Sequence, residues 1–171
     1  MLDRVSIRPE RPGDEAGIRN VLLSAFRTNA EARLVEQLRR DGDLTISLVG
    51  LIETEIVGYV AVSPVTVGRV RTGFALGPVA VLPEFQRRGI GTIVVRGALH
   101  ACQVSDACFV VVLGDPNYYQ RFEFLPAARW KLTNPFGGGE AFQLIEVFPG
   151  QIPADGGQIE YAPAFSIFAN G

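Results

Sequence analysis

Residues 86–91, Gln86-Arg87-Arg88-Gly89-Ile90-Gly91, are the part of this chain best suited to hold an anion. Glycine at 89 and 91 lets the backbone approach a ligand closely. A helix starting here would add unpaired N–H groups and the positive end of its dipole. Arg87 and Arg88 supply guanidinium donors whose planar fork matches phosphate oxygens. The segment therefore reads as a cradle for a pyrophosphate, and two common owners of such cradles do not fit. A Walker loop requires Gly-Lys-Ser/Thr, and Arg88-Gly89-Ile90-Gly91-Thr92 has no lysine. A dinucleotide fingerprint requires a third small residue three places after Gly91, where Val94 stands. A nucleotide-binding oxidoreductase thus rests on a lone Gly-x-Gly.

Other reactive side chains sort by their place in the pattern. Tyr118 and Tyr119 follow Gly114-Asp115-Pro116-Asn117. A phenol with an ordinary pKa of about 10 stays protonated at neutral pH and can act as an acid. Cys102 and Cys108 are the only cysteines, and Cys102 falls on an apolar helix face, where a thiol behaves as a small hydrophobe. His100 falls on the opposite face with Arg96 and Gln103. No His/Cys spacing matches a metal site, so no metal is expected.

The elements that must position these groups follow from periodicity. A short strand over residues 5–8 precedes Asp14, a candidate helix cap, and Ile18, Val21, Leu22, Ala25 and Phe26 then recur at helical spacing. A second helix is expected over 30–40 after Asn29. Strands are expected over 45–52, 56–64 and 74–82, with a tight turn at 53–55 and a loop at 68–73. The helix over 91–103 turns Ile90, Ile93, Val94, Ala98, Ala101 and Cys102 inward. The valine-rich run 107–113 suits a strand buried on both faces and parallel to the one before the helix. A short helix over 118–122 and strands over 141–148 and 162–168 complete the sheet. Pro78, in a strand that should be central, cannot donate to the ladder, so Gly77-Pro78 marks a bulge or a break. The order is mixed rather than a repeating β-α series, which argues against a doubly wound nucleotide fold.

At 171 residues, 47% hydrophobic and 20% charged, the chain suits one globular domain spanning 1–171. A net charge of -2 excludes a protein that holds nucleic acid mainly by neutralising phosphates. No apolar run approaches the roughly 18 residues of a spanning helix, and nothing behind Met1-Leu2-Asp3-Arg4 resembles a signal-peptide core. No membrane association and a cytoplasmic location are the expectations.

Gln86-x-x-Gly89-x-Gly91 after Leu76-Gly77-Pro78-Val79-Ala80-Val81-Leu82-Pro83, with Phe85 before it, resembles the acyl-CoA signature of the GNAT family of N-acetyltransferases. Tyr119-Gln120-Arg121-Phe122-Glu123-Phe124 is similar to that family's later Tyr-x-Arg-Phe-Gly-Phe segment, and the two stand in the family's order. Glu31-Ala32-Arg33-Leu34-Val35 and Tyr161-Ala162-Pro163-Ala164-Phe165 resemble its YhbS-type bacterial subgroup. Glu123 stands where the family usually has glycine, so the turn there is expected to be tighter or differently angled.

The resemblance implies a fold of α/β (α+β) class: a single domain whose mixed, mostly antiparallel sheet is splayed at its centre and flanked by about four helices. It implies acetyl-CoA as cosubstrate, with its pyrophosphate on the N–H groups of Arg87, Arg88, Gly89, Ile90, Gly91 and Thr92. The pantetheine arm would pair with backbone near Val79 and Val81, and a strand N–H there would polarise the thioester carbonyl. Asn117 would bond pantetheine amides, and Tyr119 would protonate the leaving thiolate. The base stays open among Glu31, Glu53, Glu84, a water, or an amine that binds already neutral. The acceptor, a small-molecule or peptide amine, is expected near residues 26–31, 63–72 and 137–142, where Phe26, Phe74, Phe136 and Phe142 meet few acids. The alternative is a non-catalytic acyl-CoA-binding or regulatory module of the same fold. Edge strands of the C-terminal half could pair two copies as a homodimer.

Overall fold

A computed structural model describes residues 4–68 and 70–169. The chain divides into two compact units, and the long strands β3 (Glu55–Val67) and β4 (Val70–Val81) run through both. One unit holds the chain up to Val62 together with residues 78–101; the other holds residues 63–77 and the chain from Cys102 onward.

In the first unit, β1 (Val5–Pro9) pairs antiparallel with β2 (Ile46–Ile52), and β2 pairs antiparallel with β3, from Ile46 opposite Val62 to Ile52 opposite Glu55. The apolar stripes of α1 (Glu15–Ala25) and α2 (Ala30–Asp41) close over this sheet. Ile18, Val21, Leu22, Ala32 and Val35 form one buried cluster with Val49, Val57, Tyr59 and Ala61. Ala80, Leu82 and Ile90 belong to the same cluster, so the core itself fixes where β4 ends and where α3 (Ile90–Gln103) begins. A polar network tightens the unit. Arg39 binds both oxygens of Glu10 at 2.7 and 3.0 Å, Ser47 donates to Glu10 at 3.0 Å, and the Ser47 hydroxyl lies 2.8 Å from that of the buried Tyr59.

In the second unit, β5 (Phe109–Leu113) runs parallel to β4, with Phe74 opposite Val110 and Leu76 opposite Val112. It also pairs antiparallel with β8 (Phe142–Glu146), which in turn pairs with β6 (Leu125–Pro126). β9 (Gly157–Tyr161) pairs with the end of β3 and, in parallel, with β7 (Leu132–Thr133). Val65, Val67, Ala75, Phe109, Val111, Leu144 and Ile159 are the centre of this core. The sheet order is β1-β2-β3-β4-β5-β8-β6, mostly antiparallel, with β9 joined to β3 and β7 to β9. Registered pairing of β4 with β5 covers only three residues and ends where Gly77 (φ 144°) and Pro78 follow. Four α-helices stand among the described residues, the last, α4 (Pro116–Tyr119), a single turn. No described helix is long and apolar enough to cross a membrane.

Several expected elements are corrected. The strand expected over 162–168 is a 3-10 helix, Pro163–Phe168, and the strand lies just before it as β9. Pro163 has no N–H for a ladder and its fixed φ suits a helix start, whereas residues 157–161 alternate toward a buried Ile159. The loop expected over 68–73 is a hairpin: β3 continues past Pro64 to Val67 and β4 starts at Val70; Arg69 lies outside the described residues. In α3, Ile93 is exposed and Val95 is buried in its place. Asp14 makes no side-chain cap bond, because its carboxylate is held by Arg8 and by the Arg11 N–H.

Candidate functional site

The glycine turn grows out of the end of β4. Pro83–Phe85 forms one 3-10 turn, with the Phe85 N–H bonded to Leu82 O at 2.8 Å. Gln86 then swings its amide back to donate to Val81 O at 3.0 Å, which ties the turn to the strand. Arg87 (φ 64°) and Gly89 (φ 84°) are both left-handed, on either side of Arg88. Left-handed residues set two apart are the backbone pattern from which anion-binding nests are built. For Arg87 the conformation costs about 1–2 kcal/mol, and for Gly89 it is free.

Gly89 O accepts the Ile93 N–H at 3.1 Å, so Gly89 is the residue from which α3 starts. The first turn of a helix has no carbonyl one turn earlier to bond, and its N–H groups point along the axis into this turn. Ile90, Gly91 and Thr92 are that first turn. A Cβ built on Gly89 meets nothing within 4 Å, and Arg87, Arg88 and Gly89 are all exposed, so the cradle is open to a ligand. The Arg88 guanidinium lies over the Phe85 ring, 5.4 Å from its centroid, a cation–π contact that keeps it beside the turn. Buried Ile90 anchors the helix end beneath. Val79 and Val81 are half-buried on β4 beyond Pro78.

The second constellation lies where β5 ends. Asp115 accepts the Asn117 N–H at 2.9 Å as the cap of α4, Pro116 occupies the first helical position, and both Tyr118 and Tyr119 donate their N–H to Asp115 O at 3.0 Å. Asn117 is exposed. The Tyr119 ring meets Tyr118 edge-on at 5.0 Å and Phe124 edge-on at 5.8 Å, with Phe122 at 6.0 Å. Its remaining side lies against Gly114, where any Cβ would collide with ring atoms Cε2 and Cδ2. Burial first, and the neighbouring Tyr118 second, push the Tyr119 phenol up to about 12. Tyr119 therefore keeps its proton through the whole neutral range. Its hydroxyl makes no hydrogen bond among the described residues. Tyr118 is covered by the Arg121 guanidinium 4.2 Å from its ring centroid, and its carbonyl accepts from Arg121 Nε at 2.9 Å, which gives it a packing role.

Glu123 takes the left-handed conformation (φ 73°) that glycine would take, with its N–H on Gln120 O at 2.9 Å. The turn is thus the one glycine would make, not a tighter or differently angled one. Relief of the left-handed cost, less the backbone entropy of glycine, makes Glu123→Gly more stable by about 0.5–1 kcal/mol. Its thermal midpoint should rise by about 1–4 °C with turnover unchanged; a lower midpoint would show that the Glu123 side chain stabilises the turn.

Other expected contributors are placed as follows. Phe74 and Phe142 belong to the buried core, which removes them as acceptor-lining residues. Phe26 packs on the core of the first unit, and Phe136 joins Tyr161, Phe165 and Phe168 in a cluster of rings with centroids 5.2–6.5 Å from its own. Ser63 is fully buried with its hydroxyl unpartnered among the described residues. Glu53 and Glu84 are exposed on turns, and Glu31 is half-buried in the first turn of α2. Cys102 is fully buried and its thiol is pushed up to about 12 by burial, consistent with packing rather than nucleophilic work. The residues not foreseen are Gly114, which backs Tyr119, and Gln143, an amide 2% exposed in β8. A polar residue flanked by apolar ones in a mostly apolar strand was the only sequence signal of Gln143.

Comparison with known proteins gives these parts a context. The sequence pattern of the family described as Acetyltransferase (GNAT) family matches residues 16–124. An Escherichia coli K12 protein described as uncharacterized N-acetyltransferase YhbS is 37% identical over 165 residues, covering 95% of this chain and 99% of its own. The crystal structure of E. coli YhbS in complex with CoA superposes with a TM-score of 0.89 at 36% identity, over 95% of this chain and 92% of that one. A GNAT family acetyltransferase from Brucella melitensis in complex with acetyl-CoA superposes with a TM-score of 0.81 at 36% identity, over 95% and 99%.

Proposed function

Because this chain belongs to the acetyltransferase (GNAT) family, we propose that it moves an acetyl group from acetyl-CoA to an amine by direct attack in a ternary complex, with residues 1–171 acting as one acyltransferase domain. The observation that carries the reading is the exposed, left-handed turn of Arg87 and Gly89 leading into the first turn of α3, anchored by the buried Ile90. Two relatives that cover nearly the whole chain hold CoA and acetyl-CoA, which supports the same ligand here. Bound acetyl-CoA would supply the activated thioester; the chain supplies the rest.

The N–H groups of Arg87, Arg88, Gly89, Ile90, Gly91 and Thr92 hold the pyrophosphate, and the two guanidiniums add charge-assisted bonds. The backbone of Val79 and Val81 aligns the pantetheine arm, and one of their N–H groups polarises the carbonyl. Asn117 bonds a pantetheine amide. The amine nitrogen forms the new C–N bond as the C–S bond breaks, Tyr119 gives its phenolic proton to the departing sulfur, and the surplus proton on the nitrogen leaves through solvent and restores the phenol. A thiol has a solution pKa of about 8.5, below that of the buried phenol, so transfer to sulfur is uphill on its own and is completed by the return of the nitrogen's proton to the phenolate. The acceptor is a small-molecule or peptide amine, met in the cytoplasm.

The test is thiol release from acetyl-CoA with a panel of aliphatic, aromatic and peptide amines. Amine-dependent release with equimolar acetylated product supports transfer. Saturable acetyl-CoA binding without release for any amine would instead mark a binding or regulatory module.

A further inference from the structure

Gln143 is a buried amide in a strand whose other residues are mostly apolar, 2% exposed between β5 and β6. Burying an amide in place of a leucine or methionine costs free energy unless its hydrogens are used. Here they are used in one place. Nε2 donates to Gly114 O at 3.1 Å and to Ala141 O at 3.3 Å. Ala141 O also accepts the Gly114 N–H, at 3.0 Å. The backbone of Gly114 is thus held from both sides, its N–H by Ala141 and its C=O by Gln143. Gly114 is the residue whose bare Cα lies against the Tyr119 ring, and Asp115, the cap of α4, is joined to it by the peptide that Gln143 grips.

We infer that Gln143 is the positioning residue of the proposed general acid: it fixes the Gly114–Asp115 peptide, and through it both the surface on which the Tyr119 ring rests and the start of the helical turn that carries Tyr119. This inference rests on the reading of Tyr119 as the acid. A phenol with no hydrogen bond of its own among the described residues is oriented by packing alone, so the floor beneath its ring decides where its proton is delivered. Misplacement of a reacting group by about 1 Å can cost 100-fold in rate.

The experiment measures kcat and KM for acetyl-CoA with the best amine of the panel, or with water as acceptor if none is used. The variants are Gln143→Met, Gln143→Glu, Tyr119→Phe and the double variant Gln143→Met with Tyr119→Phe. Gln143→Met keeps the shape and loses the donors, and it should lower kcat about 10-fold while KM for acetyl-CoA stays within twofold. Gln143→Glu at pH 6, where a buried carboxyl stays protonated and can donate to Gly114 O, should recover most of that loss. In the double variant, Gln143→Met should add no further loss, because a residue acting through Tyr119 has nothing left to position.

A full additional loss in the double variant overturns the assignment while leaving the acid reading intact. Unchanged kcat in Tyr119→Phe alone overturns both. A lowered melting temperature in Gln143→Met with kcat unchanged shows a structural role only and overturns the assignment. Should Gln143→Met fail to fold, Gln143→Glu decides: its kcat relative to the unaltered chain must fall between pH 6 and 9 as the carboxyl ionises, and a constant ratio overturns the inference.

Discussion

Tyr119→Phe is expected to lower kcat by about 100- to 1,000-fold, the usual worth of a placed general acid, while acetyl-CoA affinity changes less than twofold. The substitution removes one oxygen that makes no hydrogen bond among the described residues and leaves the ring contacts with Tyr118, Phe122 and Phe124 in place. Folding should therefore be unaffected and the loss should lie in the chemical step. The pH dependence follows from the same environment. Burial and Tyr118 raise the phenol to about 12, so it keeps its proton below an ordinary tyrosine's pKa of about 10 and loses it only near 12. No fall in kcat from Tyr119 should appear up to pH 10. Steady-state rates of both proteins from pH 6 to 10 check this, and equal turnover would remove Tyr119 from the mechanism.

Gly89→Asp should weaken acetyl-CoA binding about 100-fold, or about 2.7 kcal/mol, whereas Gly89→Asn should stay within about fivefold. A Cβ at this position meets no atom within 4 Å, and the left-handed conformation strains aspartate and asparagine alike, so the backbone cost cancels between the two variants. They differ in charge. The aspartate places an anion in the nest where the pyrophosphate is proposed to sit, at the end of a helix dipole that favours one anion but not two in contact. S-acetylpantetheine, which lacks the pyrophosphate, should bind the two variants equally. Calorimetric titration of each with both thioesters decides it, and equal affinities of the two variants for acetyl-CoA would move the pyrophosphate elsewhere.

The parts of this site legible in the sequence are those encoded locally. Gln86, Gly89 and Gly91 specify a strand-to-helix turn through backbone freedom and an adjacent helix start, and the structure forms it there. The valine-rich run before Gly114 announced a buried parallel strand, and β5 is one. What was not legible depends on partners distant in sequence or on conformations that the residue type conceals. Arg87 and Glu123 are left-handed although nothing in arginine or glutamate says so. Gln143 reaches Gly114 only because Leu113 pairs with Phe142, a register set by two strands 29 residues apart. The C-terminal segment misled for a different reason: residues 162–168 are as apolar as a strand, but Pro163 starts a 3-10 helix and its rings pack with Phe136 and Tyr161 instead.

Thermal unfolding with acetyl-CoA, CoA and NAD tests the central claim most directly, since a ligand bound only by the folded chain must raise its midpoint. At 100 times the dissociation constant the stabilisation is about 2.7 kcal/mol, which for a chain of this size is a rise of about 5–10 °C. The account predicts that rise with acetyl-CoA and with CoA and none with NAD. A midpoint that acetyl-CoA leaves unmoved would contradict it.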